Sequence, residues 1–217
     1  MRRKLVLIIA ALLVIFGVAS CGPLNGRYNL NPEIFSAQWA PVRNAILWGD
    51  VGKPNTIIWY TNLQCPYARQ MWPEIQKVMK SAPQTKLVLK GSGFDQAGEL
   101  IIFIITLMAE QDQVMARAFI TDVIKGGKAP FSDPYNWSLN WGKRKYKNKF
   151  NPERFTRLYN DNTARQAYNL GQTETVAAYN FSATPATAVN GKFIRGLTKS
   201  AVILNALKTT APRPEIP

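Results

Sequence analysis

The chain has 217 residues but contains no histidine and only two cysteines. The missing histidine excludes the Ser-His-Asp and Cys-His pairs on which many hydrolases depend. It also excludes histidine-ligated zinc, and two cysteines are too few for a four-cysteine zinc site. Any chemistry must therefore use carboxylates, amines, hydroxyls or a thiol, and we expect neither a metal ion nor a cofactor.

Acidic residues are also scarce, because 13 of them stand against 27 basic residues and leave a formal charge of +14. Hydrophobic residues make up 47% of the chain, a share that excludes a disordered, charge-rich protein and fits a globular one. The length fits a single domain, with at most one additional segment built onto it.

The first 20 residues have the pattern of an export signal. A basic start (Arg2, Arg3 and Lys4) precedes an apolar run from Leu5 to Ala19, which is shorter than the roughly 20 residues that a membrane-spanning helix needs. The sequence Val-Ala-Ser-Cys that ends at Cys21 resembles the lipobox of bacterial lipoproteins, in which the cysteine carries lipid. An uncleaved anchor or simple secretion is the alternative, and each places the body outside the cytoplasm.

Lipidation would remove Cys21 from thiol chemistry and leave Cys65 as the one free thiol of the mature protein. A single remaining cysteine cannot form a structural disulfide within the chain. An unpaired cysteine in an exported protein is a candidate reactive thiol.

Periodicity and turn residues predict one mixed sheet with helices on both faces, interrupted by a helical block. The regions are a signal peptide at 1–20, a tether at 21–44, a domain at 45–208 with a helical insertion at about 95–179, and a proline-rich tail at 209–217. The predicted strands are Ala45–Trp48, Thr56–Tyr60, Lys86–Lys90, Ala186–Val189 and Lys192–Arg195, the last two joined by a hairpin turn at Asn190-Gly191.

Helices are predicted from Pro66 to about Ser81, over 101–108 and 114–123, from Asn151-Pro152 through Tyr179, and over about 200–208. The stretch 128–142 contains proline, serine and asparagine and is predicted to be a loop.

Cys65 lies where a predicted strand ends and a helix begins, with Pro66 at the first helical position. Backbone N–H groups at such a helix start stabilise an anion, which favours the reactive thiolate. Arg69 lies one turn further on and would add to this effect if its side chain folded back. A buried, inert cysteine is the alternative.

Two segments resemble the DsbA-like family of thioredoxin-fold proteins. The stretch 49–68, which ends in Gln64-Cys65-Pro66-Tyr67-Ala68, is similar to the family's opening strand and Cys-Pro-Tyr/His-Cys motif. The stretch 183–193 (ATPATAVNGKF) is similar to its cis-proline segment and hairpin. The resemblance implies that Cys65 is the nucleophile and that Pro66, Tyr67, Thr184 and Pro185 hold an extended substrate beside it.

Ala68 occupies the position of the family's second, resolving cysteine. One thiol cannot store a disulfide, so the resemblance implies a single-thiol exchange protein that forms mixed disulfides with envelope proteins. Release by the substrate's own thiol amounts to isomerisation, and release by an external thiol amounts to reduction. The alternative is a non-catalytic thioredoxin-fold component of an envelope assembly, such as a secretion or conjugation system.

A basic segment with aromatic neighbours lies between the two motifs. Five of its seven residues are cationic: Lys143, Arg144, Lys145, Lys147 and Lys149. The pattern predicts either a patch for an anionic partner or a solvated helix face whose tryptophans pack on the core. We do not expect nucleic acid as the partner, because no nucleic-acid-binding motif accompanies the charge.

Overall fold

A six-stranded mixed sheet forms the centre of the computed structural model, which describes residues 27–28, 46–92, 96–161 and 183–212. The strands are β1 (Arg27–Tyr28), β2 (Ile46–Trp48), β3 (Asn55–Thr61), β4 (Thr85–Gly91), β5 (Ala186–Val189) and β6 (Lys192–Arg195). Their order across the sheet is β1-β6-β5-β3-β4-β2. Only β3 and β4 are parallel, and the other neighbouring strands are antiparallel.

Seven helices lie in the described part of the chain. They are α1 (Pro66–Ser81), α2 (Gln96–Ala109), α3 (Gln113–Lys125), α4 (Ala129–Ser132), α5 (Pro134–Lys145), α6 (Pro152–Tyr159) and α7 (Ser200–Thr209). Helix α1 connects the parallel strands β3 and β4, and α2 to α6 stand between that unit and the β5–β6 hairpin. The predicted thioredoxin fold with a helical insertion is confirmed.

The hairpin turn between β5 and β6 lies at the end of the sheet that is opposite Cys65. Asn190 and Gly191 have φ angles of 47° and 88°, which asparagine and glycine tolerate best. The Asn190 amide accepts a hydrogen bond from the Thr56 backbone N–H at 2.9 Å and donates one to the Thr210 carbonyl at 2.9 Å. The turn therefore ties the beginning of β3 and the end of α7 together.

The larger hydrophobic core lies between one face of the sheet and the helices. Trp59 of β3 is fully buried and stacks on Trp72 of α1, with ring centroids 5.6 Å apart. Helix α2 contributes a nearly continuous buried run from Ile101 to Met108. Burial of each large apolar side chain stabilises the fold by about 1.5–3 kcal/mol. Helix α1 is thus packed against the sheet as part of this core.

The opposite face of the sheet forms a second buried cluster. It contains Ile46, Ile58, Tyr60, Val88, Ala186, Ala188 and Phe193. None of these residues belongs to a helix, so the described helices pack chiefly on the first face. The sheet is nevertheless buried on both sides, as its uninterrupted apolar strands predict.

The prediction of a loop over 128–142 is wrong, because this stretch forms α4 and most of α5. Proline is compatible with the first turn of a helix, and both Pro130 and Pro134 occupy such positions. Asp133 caps α5, with its side chain accepting a hydrogen bond from the Asn136 backbone N–H at 3.2 Å. The prolines mark helix starts here rather than a break in helical structure.

Several predictions fall outside the described residues. They are the signal peptide, Cys21, the helical pattern from residue 162 through Tyr179, and residues 213–217 of the tail. Within the predicted tether, Arg27–Tyr28 forms strand β1 at the edge of the sheet, which the sequence did not predict. Among the described residues, no helix has both the length and the apolar character needed to cross a membrane.

Candidate functional site

Cys65 is the N-cap residue of α1, and Pro66 is the first residue of that helix, as the sequence predicts. A tight turn built on Asn62 leads into it. The Asn62 backbone carbonyl accepts from the Cys65 N–H at 3.0 Å, and its side-chain oxygen accepts from the Gln64 N–H at 2.9 Å. Cys65 is thereby held rigidly between the end of β3 and the start of α1.

The cysteine and the proline segment, far apart in sequence, meet at this position. The Cys65 Sγ donates a hydrogen bond to the Thr184 backbone carbonyl at 3.3 Å, across 119 residues. The Thr184–Pro185 peptide bond is cis, as the resemblance implies. The Pro185 carbonyl accepts a hydrogen bond from the Gly196 N–H at 2.9 Å, which fixes the segment to the chain that follows β6.

The thiol is only 7% exposed, and Thr184 is equally covered. Pro66 is exposed and Tyr67 is partly exposed, so the two residues that follow the buried cysteine are accessible to solvent. The Cys65 side chain accepts no capping hydrogen bond from the helix N–H groups. The sulfur contacts a backbone carbonyl instead, that of Thr184.

The Arg69 side chain folds back onto the loop before Cys65, and its assistance to a thiolate remains a prediction. Its Nε donates a hydrogen bond to the Leu63 carbonyl at 2.6 Å. Its guanidinium also lies 5.4 Å from the centroid of the Phe131 ring, a cation–π contact. Arg69 therefore joins the loop before Cys65 to helix α4 of the insertion.

Ala68 lies one turn after Cys65 in α1 and is fully buried. The position that would hold a resolving cysteine thus contains a methyl group packed in the core. Cys65 forms no disulfide within the described residues, and no cluster of three or more potential metal ligands occurs among them. Helix α1 therefore supplies no second cysteine with which Cys65 could form a disulfide.

Asn62 and Gly98 are positioning residues that sequence reasoning missed. A Cβ atom at Gly98 would overlap the Asn62 side chain, so only glycine at the start of α2 allows Asn62 to sit in the turn before Cys65. Asn62 is itself 7% exposed. The sequence carries no signal for this contact, because the two residues belong to different elements.

The basic segment at the end of α5 divides into paired and unpaired cations. Lys145 forms an ion pair with Asp122 at 2.6 Å, and Lys149 forms one with Asp112 at 2.8 Å, both acids lying on or just before α3. Lys143, Arg144 and Lys147 are exposed and form no ion pair among the described residues. Two of the five cations of the predicted patch therefore form ion pairs within the insertion.

The acids in these pairs titrate below their usual range. Burial by itself would raise the pKa of Asp122, but hydrogen bonds from Lys145 and from the Trp141 indole outweigh it and lower that pKa. Burial opposes ionisation of Asp112 in the same way, and Lys149 and the Met115 N–H overcome it, so its pKa is also lowered. Trp141 is 2% exposed and packs edge-on against Phe119, which supports the interpretation of the tryptophans as core anchors.

No protein-family model matches this chain, and a comparison with curated protein sequences finds no significant match. Its similarity to known proteins is instead structural. The chain superposes on oxidised BdbD from Bacillus subtilis with a TM-score of 0.60 at 17% identity, covering 77% of this chain and 96% of that one. It superposes on a variant of alpha-DsbA1 from Wolbachia pipientis with a TM-score of 0.60 at 14% identity, covering 80% and 94%.

A periplasmic thioredoxin-like protein from Salmonella enterica serovar Typhimurium is similar at a TM-score of 0.56 and 15% identity, covering 83% of this chain and 97% of that one. All three identities are low, so the comparisons establish the fold. The chain has the DsbA-like thioredoxin fold, with Cys65 and the cis proline at the end of the central strands.

Proposed function

We propose that this protein is a membrane-anchored thiol–disulfide exchange protein that acts on envelope proteins through the single thiol of Cys65. The observation that carries the proposal is the 3.3 Å contact between Cys65 Sγ and the Thr184 carbonyl beside a cis proline. This arrangement lies on a fold shared with DsbA-type proteins. The opposing interpretation of Cys65 as an inert core residue does not explain why it caps a helix beside exposed Pro66.

The exchange step follows from the chemistry of one thiol. The Cys65 thiol releases its proton to solvent, and the thiolate attacks one sulfur of a substrate disulfide. A bond forms between Cys65 and that sulfur, the substrate S–S bond breaks, and the other substrate sulfur leaves as a thiolate. The product is a mixed disulfide, with no net change in the number of disulfides.

Release of the substrate requires a second thiol from outside the domain, because Ala68 cannot supply one. Attack by another cysteine of the same substrate regenerates Cys65 and rearranges the substrate disulfide. A small external thiol can instead attack the substrate sulfur of the mixed disulfide, so that the bond to Cys65 breaks and Cys65 leaves as a thiolate. A second such thiol then attacks the external sulfur now bound to the substrate, which releases the substrate thiolate and joins the two external thiols in a disulfide. The substrate is thereby reduced by two electrons overall. The protein therefore acts as an isomerase or a reductase, and its mixed disulfides are long-lived.

The exported, lipid-anchored location rests on the sequence around Cys21. The basic start, the apolar run and the Val-Ala-Ser-Cys motif support a lipoprotein whose body faces the periplasm. The fold agrees with that location, since one of the similar structures is a periplasmic thioredoxin-like protein. The partners would be envelope proteins that carry cysteines or disulfides.

The test is a reaction of the purified protein with a peptide whose cysteine is blocked as a mixed disulfide with an aromatic thiol. We expect one peptide to be added per protein, with the adduct on Cys65 by mass spectrometry and the aromatic thiol released in equal amount. The Cys65→Ser variant serves as the control and should release none. Absence of an adduct on the parent protein would contradict the proposal and favour the non-catalytic alternative.

A further inference from the structure

Strand β1 lies inside the segment that the sequence predicts as a tether. Its two residues pair with β6, Arg27 opposite Ile194 and Tyr28 opposite Phe193. The chain therefore joins the sheet six residues after Cys21. A fully extended chain of that length spans about 20 Å, whereas an unpaired tether over 21–44 would span about 80 Å. The pairing shortens the connection to the lipid about fourfold.

The strand directions show at which end of the sheet this connection leaves. Strand β3 runs toward Cys65, and β5 runs antiparallel to it. Strand β6 is antiparallel to β5, and β1 is antiparallel to β6, so β1 runs away from Cys65. Strand β1 therefore begins, at Arg27, on the end of the sheet where Cys65 and the Thr184–Pro185 segment lie.

The register also gives the separation between β1 and the thiol. One row of paired residues crosses the four strands β1, β6, β5 and β3, and its length is about 14 Å. It contains Arg27, Ile194, Thr187 and Trp59. Thr184, whose carbonyl contacts Cys65 Sγ, precedes Thr187 by three residues, about 10 Å along the strand. The sulfur is thus about 17 Å from Arg27 and no more than about 40 Å from Cys21, given the reach of an extended chain.

We infer that the end of the sheet carrying Cys65 faces the membrane surface and that the substrates are membrane proteins whose cysteines lie close to the bilayer. This inference rests on the lipid attachment and the thiol exchange proposed above. A domain of this size is about 40 Å across, so a connection of about 20 Å that leaves from one end keeps that end toward the membrane. Disulfides far above the bilayer are out of reach.

The orientation is tested without any exchange chemistry. The lipidated protein, reconstituted in vesicles of phosphatidylethanolamine and phosphatidylglycerol, carries a fluorophore at one of two exposed positions in a Cys65→Ser background. Gln64→Cys places the fluorophore at the thiol end, and Asp50→Cys places it in the turn before β3 at the opposite end. Energy transfer to acceptor lipids should be at least twofold greater from position 64. Equal or weaker transfer from position 64 would overturn the orientation.

The reach of the thiol is tested with membrane-spanning peptides in the same vesicles. Each peptide carries one cysteine, blocked as a mixed disulfide with an aromatic thiol, on a helical spacer of increasing height above the bilayer. The yield of the Cys65–peptide disulfide should fall at least tenfold as the cysteine moves from about 20 Å to about 80 Å above the surface. Insertion of a 20-residue Gly/Ser segment between Cys21 and Arg27 should remove most of that fall.

A soluble peptide with the same blocked cysteine separates the two proposals. If the soluble peptide reacts but the yield is independent of height, the inference is wrong and the exchange function stands. If no peptide reacts, the exchange function fails, and with it the assignment of substrates. The energy-transfer result still decides which end faces the membrane.

Discussion

The Cys65 site and the basic segment of α5 are the two regions with the strongest sequence patterns, and the fold holds them differently. At the site, one backbone carbonyl from a distant part of the chain contacts the sulfur, with the Thr184 oxygen 3.3 Å from Cys65 Sγ. In the basic segment, Lys145 and Lys149 bind acids of the neighbouring helix. Two equally prominent sequence patterns therefore differ in structure. The first brings a cysteine beside a distant backbone carbonyl, and the second uses two of its five cations in ion pairs.

The largest effect is expected from Ala68→Cys at the site. The new thiol, one turn after Cys65, would attack the mixed disulfide from within the domain and release the substrate. We expect the lifetime of the Cys65–peptide adduct to fall by about tenfold or more, measured by mass spectrometry after acid quenching. Ala68→Ser is the matched control, with similar added volume and no thiol. An unchanged adduct lifetime in Ala68→Cys would show that release does not depend on the missing cysteine.

A substitution of Gly98 tests whether the positioning of Cys65 depends on contacts that sequence does not reveal. Gly98→Ala forces a methyl group into the Asn62 side chain, so the free energy of unfolding should fall by about 1–3 kcal/mol and Cys65 alkylation should change in rate. Gly52→Ala is the control, because nothing lies within 4 Å of a Cβ there. Equal stability of the two variants in urea unfolding would refute the positioning role.

Neutralisation of single lysines tests the division of the basic segment. Lys145→Met removes the partner of Asp122 and should lower the free energy of unfolding by about 0.5–1 kcal/mol, since the pair is partly exposed. Lys147→Met removes an exposed cation with no ion pair among the described residues and should stay within about 0.5 kcal/mol. If the free energy of unfolding falls equally in both variants, the distinction between the ion-paired lysine and the exposed lysine is wrong.

The smallest expected effect is a loss of stability in acid. It involves one carboxyl group of helix α1, which carries Cys65 at its start, and two that pair with the basic segment. Hydrogen bonds from the Ser200 N–H and then Lys77 lower the pKa of Glu74 to about 2, and the pKa values of Asp112 and Asp122 are lowered as well. A carboxylate with a lowered pKa stabilises the fold above its ordinary pKa, and this stability is lost as the pH falls through the lowered value. The urea midpoint should therefore decline between about pH 5 and pH 2.

Two variants locate the source of that decline. Glu74→Gln should flatten the pH profile, because its bond to the start of α7 no longer titrates. Asp50→Asn, an exposed turn residue, should leave the profile unchanged. A profile for Glu74→Gln that matches the parent protein would contradict the role of the Glu74–Ser200 contact.

Elements defined by local chemistry were predictable from the sequence. The hairpin at Asn190-Gly191 needs residues that tolerate positive φ, and the start of α6 combines an asparagine cap with a following proline. The strand–helix junction at Cys65 is also local, because Pro66 suits the first helical position. Each of these features is encoded within a few residues.

Features that depend on tertiary contacts were not predictable. Pro130 and Pro134 fit either a loop or helix starts, and the aromatic packing of Trp141 against Phe119 is formed only in the folded chain. The Arg69 side chain donates to the Leu63 carbonyl, and sequence spacing alone does not identify that carbonyl as its partner. The pairing of β1 with β6 involves residues more than 160 positions apart, with no turn or periodic pattern to indicate it.

The most direct test of single-thiol exchange is the recovery of disulfide-linked partners from native cells. Cells are quenched with acid, free thiols are blocked with N-ethylmaleimide, and complexes of the protein are separated on non-reducing gels. We predict bands that contain envelope proteins, collapse on reduction and disappear in the Cys65→Ser variant. Absence of such bands from cells with the parent protein, together with unchanged function in Cys65→Ser cells, would contradict the exchange role of Cys65.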